Sequence, residues 1–168
     1  MQLLNINKQQ YRERLNVVII ACIAGLTASS LVISQTLIHF IPSESGSHFH
    51  WNALGVVVSA GLLGMTLLKL KTHPKMKEVV YVWELKHALN LIYRKNRQLL
   101  EQAKLGNEQA MLALQFSYDG SRQLWQLDDN TITMDSLNRS QQQLDAWVNQ
   151  YGVTLDITQY HSKILKSF

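Results

Sequence analysis

The chain of 168 residues carries 16 Lys and Arg against 12 Asp and Glu, a net charge of +4, with 46% hydrophobic and 17% charged residues. Its mean hydropathy of −0.08 averages two unlike parts, since residues 15–70 are strongly apolar and the rest is polar with helical patterning. Removing the apolar part leaves about 100 residues, enough for a modest helical core but not for a large cleft enzyme, and a single cysteine, Cys22, excludes an internal disulfide framework.

The N-terminal segment 1–14 ends in Arg12, Glu13 and Arg14, after which no Asp, Glu, Lys or Arg appears until Glu44, nor again between Ser45 and Leu68. Two uncharged apolar stretches joined by a short polar link predict a pair of membrane-spanning helices, because a bilayer core needs about 20 helical residues. The first span covers 15–41. Its helix is expected to begin near Lys8, with Asn7 as cap, Gln10 at the reciprocal capping position and Ile6 and Tyr11 at staple spacing. Pro42 and the SESGS string are expected to end it. An external link, 42–50, leads to the second span, 51–68.

A signal-peptide reading of residues 12–28 fits less well, because the apolar run continues past Ser30 to Ile41 and cleavage would leave the second span unpaired. Ile19-Ile20-Ala21-Cys22 matches a loose lipobox, but too few apolar residues separate Arg14 from Cys22. Orientation follows from the cations. Lys8, Arg12 and Arg14 precede the first span, Lys69, Lys71, Lys75 and Lys77 follow the second, and the link has none. The positive-inside rule therefore puts both termini in the cytoplasm.

Ala21, Gly25 and Ser29 recur every four residues, as do Ala60 and Gly64, a spacing that lets helix backbones approach closely. Packing within the hairpin is the plainer expectation and a dimer seam the sharper one. Thr27, Ser29, Ser30, Ser34, Gln35 and Thr36 make the outer half of the first span polar, which raises the alternative of a small channel or transporter subunit. Hydroxyls that bond back to their own helix explain the same residues without a path.

The cytoplasmic domain, 69–168, opens on a basic segment. Residues 69–104 hold nine Lys and Arg against three Glu, while 105–168 hold four against seven acids. Beside a membrane such a segment reports topology and attraction to anionic lipid, so nucleic acid is not required as a partner. Lys69, Lys71, Lys75 and Lys77 are the candidate lipid-contact residues. After Pro74 a long helix is predicted to run to Gly106. Val82, Leu85, Leu89, Ile92, Asn96 and Leu99 step by three and four along it, the pattern of an interaction helix or a two-stranded seam. Val79, Val80, Trp83, Tyr93 and Leu100 widen that stripe, which favours burial in an intrachain bundle over dimerisation.

Asn107 is placed to cap the next helix, with Met111, Leu114, Leu124 and Trp125 among its apolar residues. The string AKLGNEQAMLALQFSYDG resembles one helix of a Sel1-like or tetratricopeptide repeat, but one copy does not make a solenoid. The acidic turn at Leu127–Asn130 lacks the Gly and Glu of a calcium loop. A third helix is expected from Met134 to Gly152, and a fourth from a capping box at Asp156 and Gln159 to Leu165. The fold class is thus all-α, a two-helix transmembrane hairpin followed by a small cytoplasmic helical bundle.

No phosphate loop, nucleophile elbow, HExxH or paired CxxC is present. His39, Glu44, His48 and His50 could gather a metal outside the membrane, but solvated link histidines explain them as well. His73 and His87 sit among cations, and Glu84 and Glu101 lie too far apart on one helix for acid–base work. No catalytic residue, metal or cofactor is therefore expected.

The strings INKQQYRERLNVVI, WNALGVV, LKTHPKMKEVVYVWELKHALNLIYRK and LDDNTITMDSL resemble a bacterial family of two-span proteins, the domain of unknown function numbered thirty eighty-seven. The HPxxKEVxYVWxLK-like stretch is the most specific part of the likeness, which covers nearly the whole chain. The resemblance implies a bacterial inner-membrane protein and brings no catalytic residues with it. The expected role is a non-enzymatic anchor whose helical domain binds a protein partner or a second copy of itself.

Overall fold

In a computed structural model, residues 1–41, 47–130 and 134–168 are described. Pro42 and most of the SESGS string, with Glu44, lie outside them. The elements are six α-helices: α1 Lys8–Phe40, α2 Phe49–Leu70, α3 Lys77–Tyr93, α4 Asn96–Lys104, α5 Glu108–Leu127 and α6 Met134–Tyr151. Short 3-10 turns occupy Pro74–Met76, Ile157–Gln159 and Ser162–Ser167, and no strand occurs among the described residues. The chain divides into a paired-helix unit, Gln9–Val80, and a helical domain formed by Met1–Lys8 with Tyr81–Phe168.

In the paired-helix unit, α1 has 33 residues, a rod of about 50 Å at about 1.5 Å per residue. It starts at the expected Lys8. The second helix starts two residues earlier than the 51–68 span and ends two later. Both are long and apolar enough to cross a membrane. Their buried residues are Tyr11, Ser34, Gly55 and Ser59, while Val17, Ile20, Val32, Val57 and Leu68 stand at least two-thirds or nearly so exposed, at 67%, 67%, 66%, 67% and 73%.

The helical domain has the opposite arrangement. Its central helix α5 packs on α4 and α6 and is covered further by the two C-terminal turns. Ala110, Met111, Ala113, Leu114 and Phe116 of α5 are fully buried, with Leu85, Leu99, Ala103 and Leu144 reaching the same depth. Asn107 caps α5 as expected, its side chain accepting from the Ala110 N–H at 3.0 Å. Gly106 sits at φ +86, and a Cβ there would meet the Tyr151 ring at 2.9 Å. Glycine is required on both counts, and the Tyr151 hydroxyl closes the same corner by donating to the Lys104 carbonyl at 2.7 Å.

Two expectations are corrected. The long helix after Pro74 is broken: Lys95 N–H bonds to Ile92 O rather than continuing the α ladder, at φ −107 and ψ 2, and α4 begins at Asn96. The break turns Leu99 and Ala103 of α4 into a core that Leu85 and Ile92 of α3 also fill. The expected fourth helix consists of two 3-10 turns. Asp156 does cap the first, accepting from Thr158 N–H at 3.0 Å. Tyr160 and His161 then adopt extended backbone, which delivers the Tyr160 ring onto Phe116, stacked at 4.1 Å between centroids.

Candidate functional site

The paired-helix unit gathers its polar chemistry at one end. The sequence there places Glu13 and Arg14 just before the apolar part of α1, and Lys69, Lys71, His73, Pro74, Lys75 and Lys77 just after that of α2. Pro74 opens a 3-10 turn, a position that needs no backbone N–H. His73 caps it, its Nδ1 accepting from Lys75 N–H at 3.2 Å. This turn brings Glu78 back to α1, where Arg14 donates to its carboxylate and lies 3.5 Å from the Pro74 carbonyl.

Arg14 thus ties the start of α1 to the return of the chain 64 residues later. The pair is part-buried, where a charge-assisted bond holds geometry better than an exposed one. A groove of about 490 Å³ lies beside it, with walls from Val17, Val18 and Leu70 and a polar mouth from Glu13, Arg14, His73 and Lys75. Of the four lysines singled out by sequence, only Lys75 lines the groove; Lys69, Lys71 and Lys77 are exposed around it.

Farther along the pair, Ser34 of α1 donates to the Asn52 side chain of α2. A Cβ on Gly55 would meet Ser30 O at 2.9 Å and Ser34 Cβ at 3.1 Å, so the two backbones approach closely here. The small residues expected to do this are placed elsewhere. Gly25 and Gly64 have open space where a Cβ would stand, Ala21 and Ala60 are exposed, and Ser29 Oγ donates to Gly25 O at 2.6 Å. The fourfold spacing is shared by many positions on such helices, and the partner residue decides which of them is used.

Among the expected interaction-helix residues, Val82, Leu85, Ile92 and Leu99 are buried and Leu89 and Asn96 partly so. They belong to the core. The apolar surface of the domain comes instead from Trp83, Tyr93 and Leu105, at 61%, 77% and 75% exposure, with Trp83 stacked against His87.

A polar ring went unseen in the sequence. Leu4 N–H donates to the Tyr81 hydroxyl at 2.9 Å, Tyr81 donates to Gln123 Oε1 at 2.9 Å, and the Gln123 amide donates back to Leu4 O. With the Lys8–Asp129 ion pair it fastens the N-terminal segment to the helical domain. Residues separated by 77 and 119 positions leave no local signal.

No group of three or more His, Cys, Asp or Glu gathers among the described residues. No curated protein and no solved structure matches the chain. A family model does match, over residues 1–165, and the chain belongs to that family, described as Protein of unknown function (DUF3087).

Proposed function

We propose that this is a non-enzymatic integral protein of a bacterial inner membrane, anchored by α1 and α2, whose helical domain binds a protein partner or a second copy of the chain. The observation that carries the membrane reading is the inside-out burial of the paired helices. Hydroxyl and glycine positions face inward at Ser34, Gly55 and Ser59, and Val, Ile and Leu face outward. Water penalises an exposed apolar surface of this length, and lipid favours it.

The lysines after α2, with Lys8, Arg12 and Arg14, support an orientation with both termini cytoplasmic. Near an anionic leaflet each basic side chain adds about 1 kcal/mol of attraction, so Lys69, Lys71, Lys75 and Lys77 would hold this end of the anchor against the headgroups. Trp83, Tyr93 and Leu105 support the interaction role, since exposed aromatics of this size are enriched where proteins meet.

Alkaline extraction of membranes, followed by crosslinking and mass spectrometry in the same native membranes, tests both parts. Retention in the lipid fraction with crosslinked species is expected. Release into the alkaline supernatant would remove the anchor, and recovery of monomer alone would remove the interaction role. No observation favours a conducting path: Ser29, Ser30, Thr36 and Thr66 all donate to carbonyls of their own helix, at 2.6, 3.1, 2.6 and 2.8 Å.

A further inference from the structure

The break between α3 and α4 has a second consequence, within the helical domain. It opens a groove of about 630 Å³ against the C-terminal turn, within the size range of small-molecule sites. Four cations line it, Arg94, Lys95, Arg97 and Lys166, with the polar side chains of Gln98 and Ser162 beside them and Leu91 and Leu165 as the apolar part of the lining. No acidic side chain lines it.

Of the six Lys and Arg elsewhere in this domain, three are paired and Lys104, Arg139 and Lys163 stand singly rather than gathered in one groove. Lys8 meets Asp129, Lys86 meets Asp128 at 3.1 Å, and Arg122 meets Asp119 at 3.9 Å. In the groove only Arg97 has such a partner, Glu101, at 3.2 Å, and its side chain is 93% exposed. Arg94, Lys95 and Lys166 have no ion pair among the described residues. Like charges held together without counter-charge repel one another, so an anion entering the groove gains Coulomb energy from all of them at once.

We propose that this groove binds a phosphate-bearing ligand, either a small soluble phosphate compound or the phosphate of a lipid headgroup. Two guanidiniums suit bidentate contact with phosphate oxygens, and two ammoniums add point charges. Ser162 and Gln98 supply neutral donors, and Leu91 and Leu165 receive the apolar body of the ligand. The groove lies wholly in the helical domain, so the assignment stands or falls separately from the membrane reading.

The test uses the full chain purified in a neutral detergent, with pyrophosphate as the soluble probe and phosphatidylglycerol in mixed micelles as the lipid probe. Calorimetry reads the first and native mass spectrometry the second. The triple variant R94Q/K95Q/K166Q is compared with K86Q/R122Q/R139Q, which removes the same charge from the same domain outside the groove. The expected result is a loss of affinity of about tenfold or more for one probe in the groove variant, with the control unchanged within about twofold. Loss for pyrophosphate identifies a soluble ligand, and loss for phosphatidylglycerol alone a headgroup. Absence of binding by the unmodified chain, or equal weakening in both triple variants, overturns the proposal. Should the groove variant lose its helical circular dichroism, the single changes Arg94→Gln and Lys166→Gln, both at exposed side chains, answer the same question.

Discussion

The two units of this chain use similar side chains in opposite directions. In the helical domain Leu85, Leu99, Leu114 and Phe116 are fully buried, and the surface carries the charges. In the paired-helix unit Ile20, Val32 and Val57 are exposed, whereas the fully buried Ser59 and nearly buried Ser34 are hydroxyls. The same physical rule produces both patterns when the solvent differs. Water drives apolar groups together, while lipid is as apolar as they are and leaves close packing and hydrogen bonds to hold helices in contact.

The largest effect should come from the domain that depends on burial. Leu114→Ala leaves a cavity beside Met111 and Phe116, and a cost of about 2–5 kcal/mol is expected. Urea unfolding of the detergent-solubilised chain, followed by near-ultraviolet circular dichroism, reads it. Val57→Ala, by contrast, changes a side chain with little protein around it and should stay within about 0.5 kcal/mol. Equal costs at the two sites would erase the distinction between the units.

Next in size is a charge on the outward face. Val32→Arg puts a cation near the middle of the apolar part of α1, on its exposed face, where insertion becomes unfavourable by about 2.5–3.5 kcal/mol. The alkali-resistant membrane fraction should fall accordingly. An unchanged fraction would mean that this face does not meet lipid, and the inside-out reading would fail with it.

A subtler change probes what holds the paired helices together. Gly55→Val inserts atoms where Ser30 O and Ser34 already stand at contact distance, with an expected cost of about 1–3 kcal/mol. Gly64→Val, which meets open space, should leave thermal stability in detergent within about 0.5 kcal/mol. If the two glycines respond alike, the helices are not in close contact at Gly55.

That contrast also marks what sequence can and cannot carry. Uncharged length made α1 and α2 legible, and Lys8 as a starting point followed from local capping chemistry. The caps at Asn107 and Asp156 were legible for the same reason, since each acts within three residues. Choosing Gly55 over Gly25 or Gly64 required knowing which face of α1 lies opposite. The seam from Val82 to Leu99 was a true apolar stripe, but periodicity does not report a two-residue break at Arg94 and Lys95. The groove with Lys166 depends on that break and on a turn 70 residues later, so no window of sequence contains it. Arg14 with Glu78 is the same case, joined only by the turn at Pro74.

The smallest expected effect concerns one buried tyrosine hydroxyl in the core of the helical domain. Tyr160 stacks on Phe116, and its buried hydroxyl has no hydrogen-bond partner among the described residues. Burial pushes its phenol up to about 12. Tyr160→Phe keeps the stacked ring and removes the unsatisfied group, so a gain of about 1 kcal/mol is expected at neutral pH. The gain should widen with alkali. Native Tyr160 holds its proton to about pH 12, while the unfolded chain releases it near the ordinary value of about 10. Between those limits the unfolded state binds fewer protons, and stability falls as pH rises. Tyr81 and Tyr118 are also raised, chiefly by burial, so the variant should flatten this slope without abolishing it. Urea midpoints at pH 8 and pH 11 measure both effects. A variant with the same alkaline slope as the unmodified chain would show that the hydroxyl reaches water, and with it that the core around Phe116 is less dry than the stack implies.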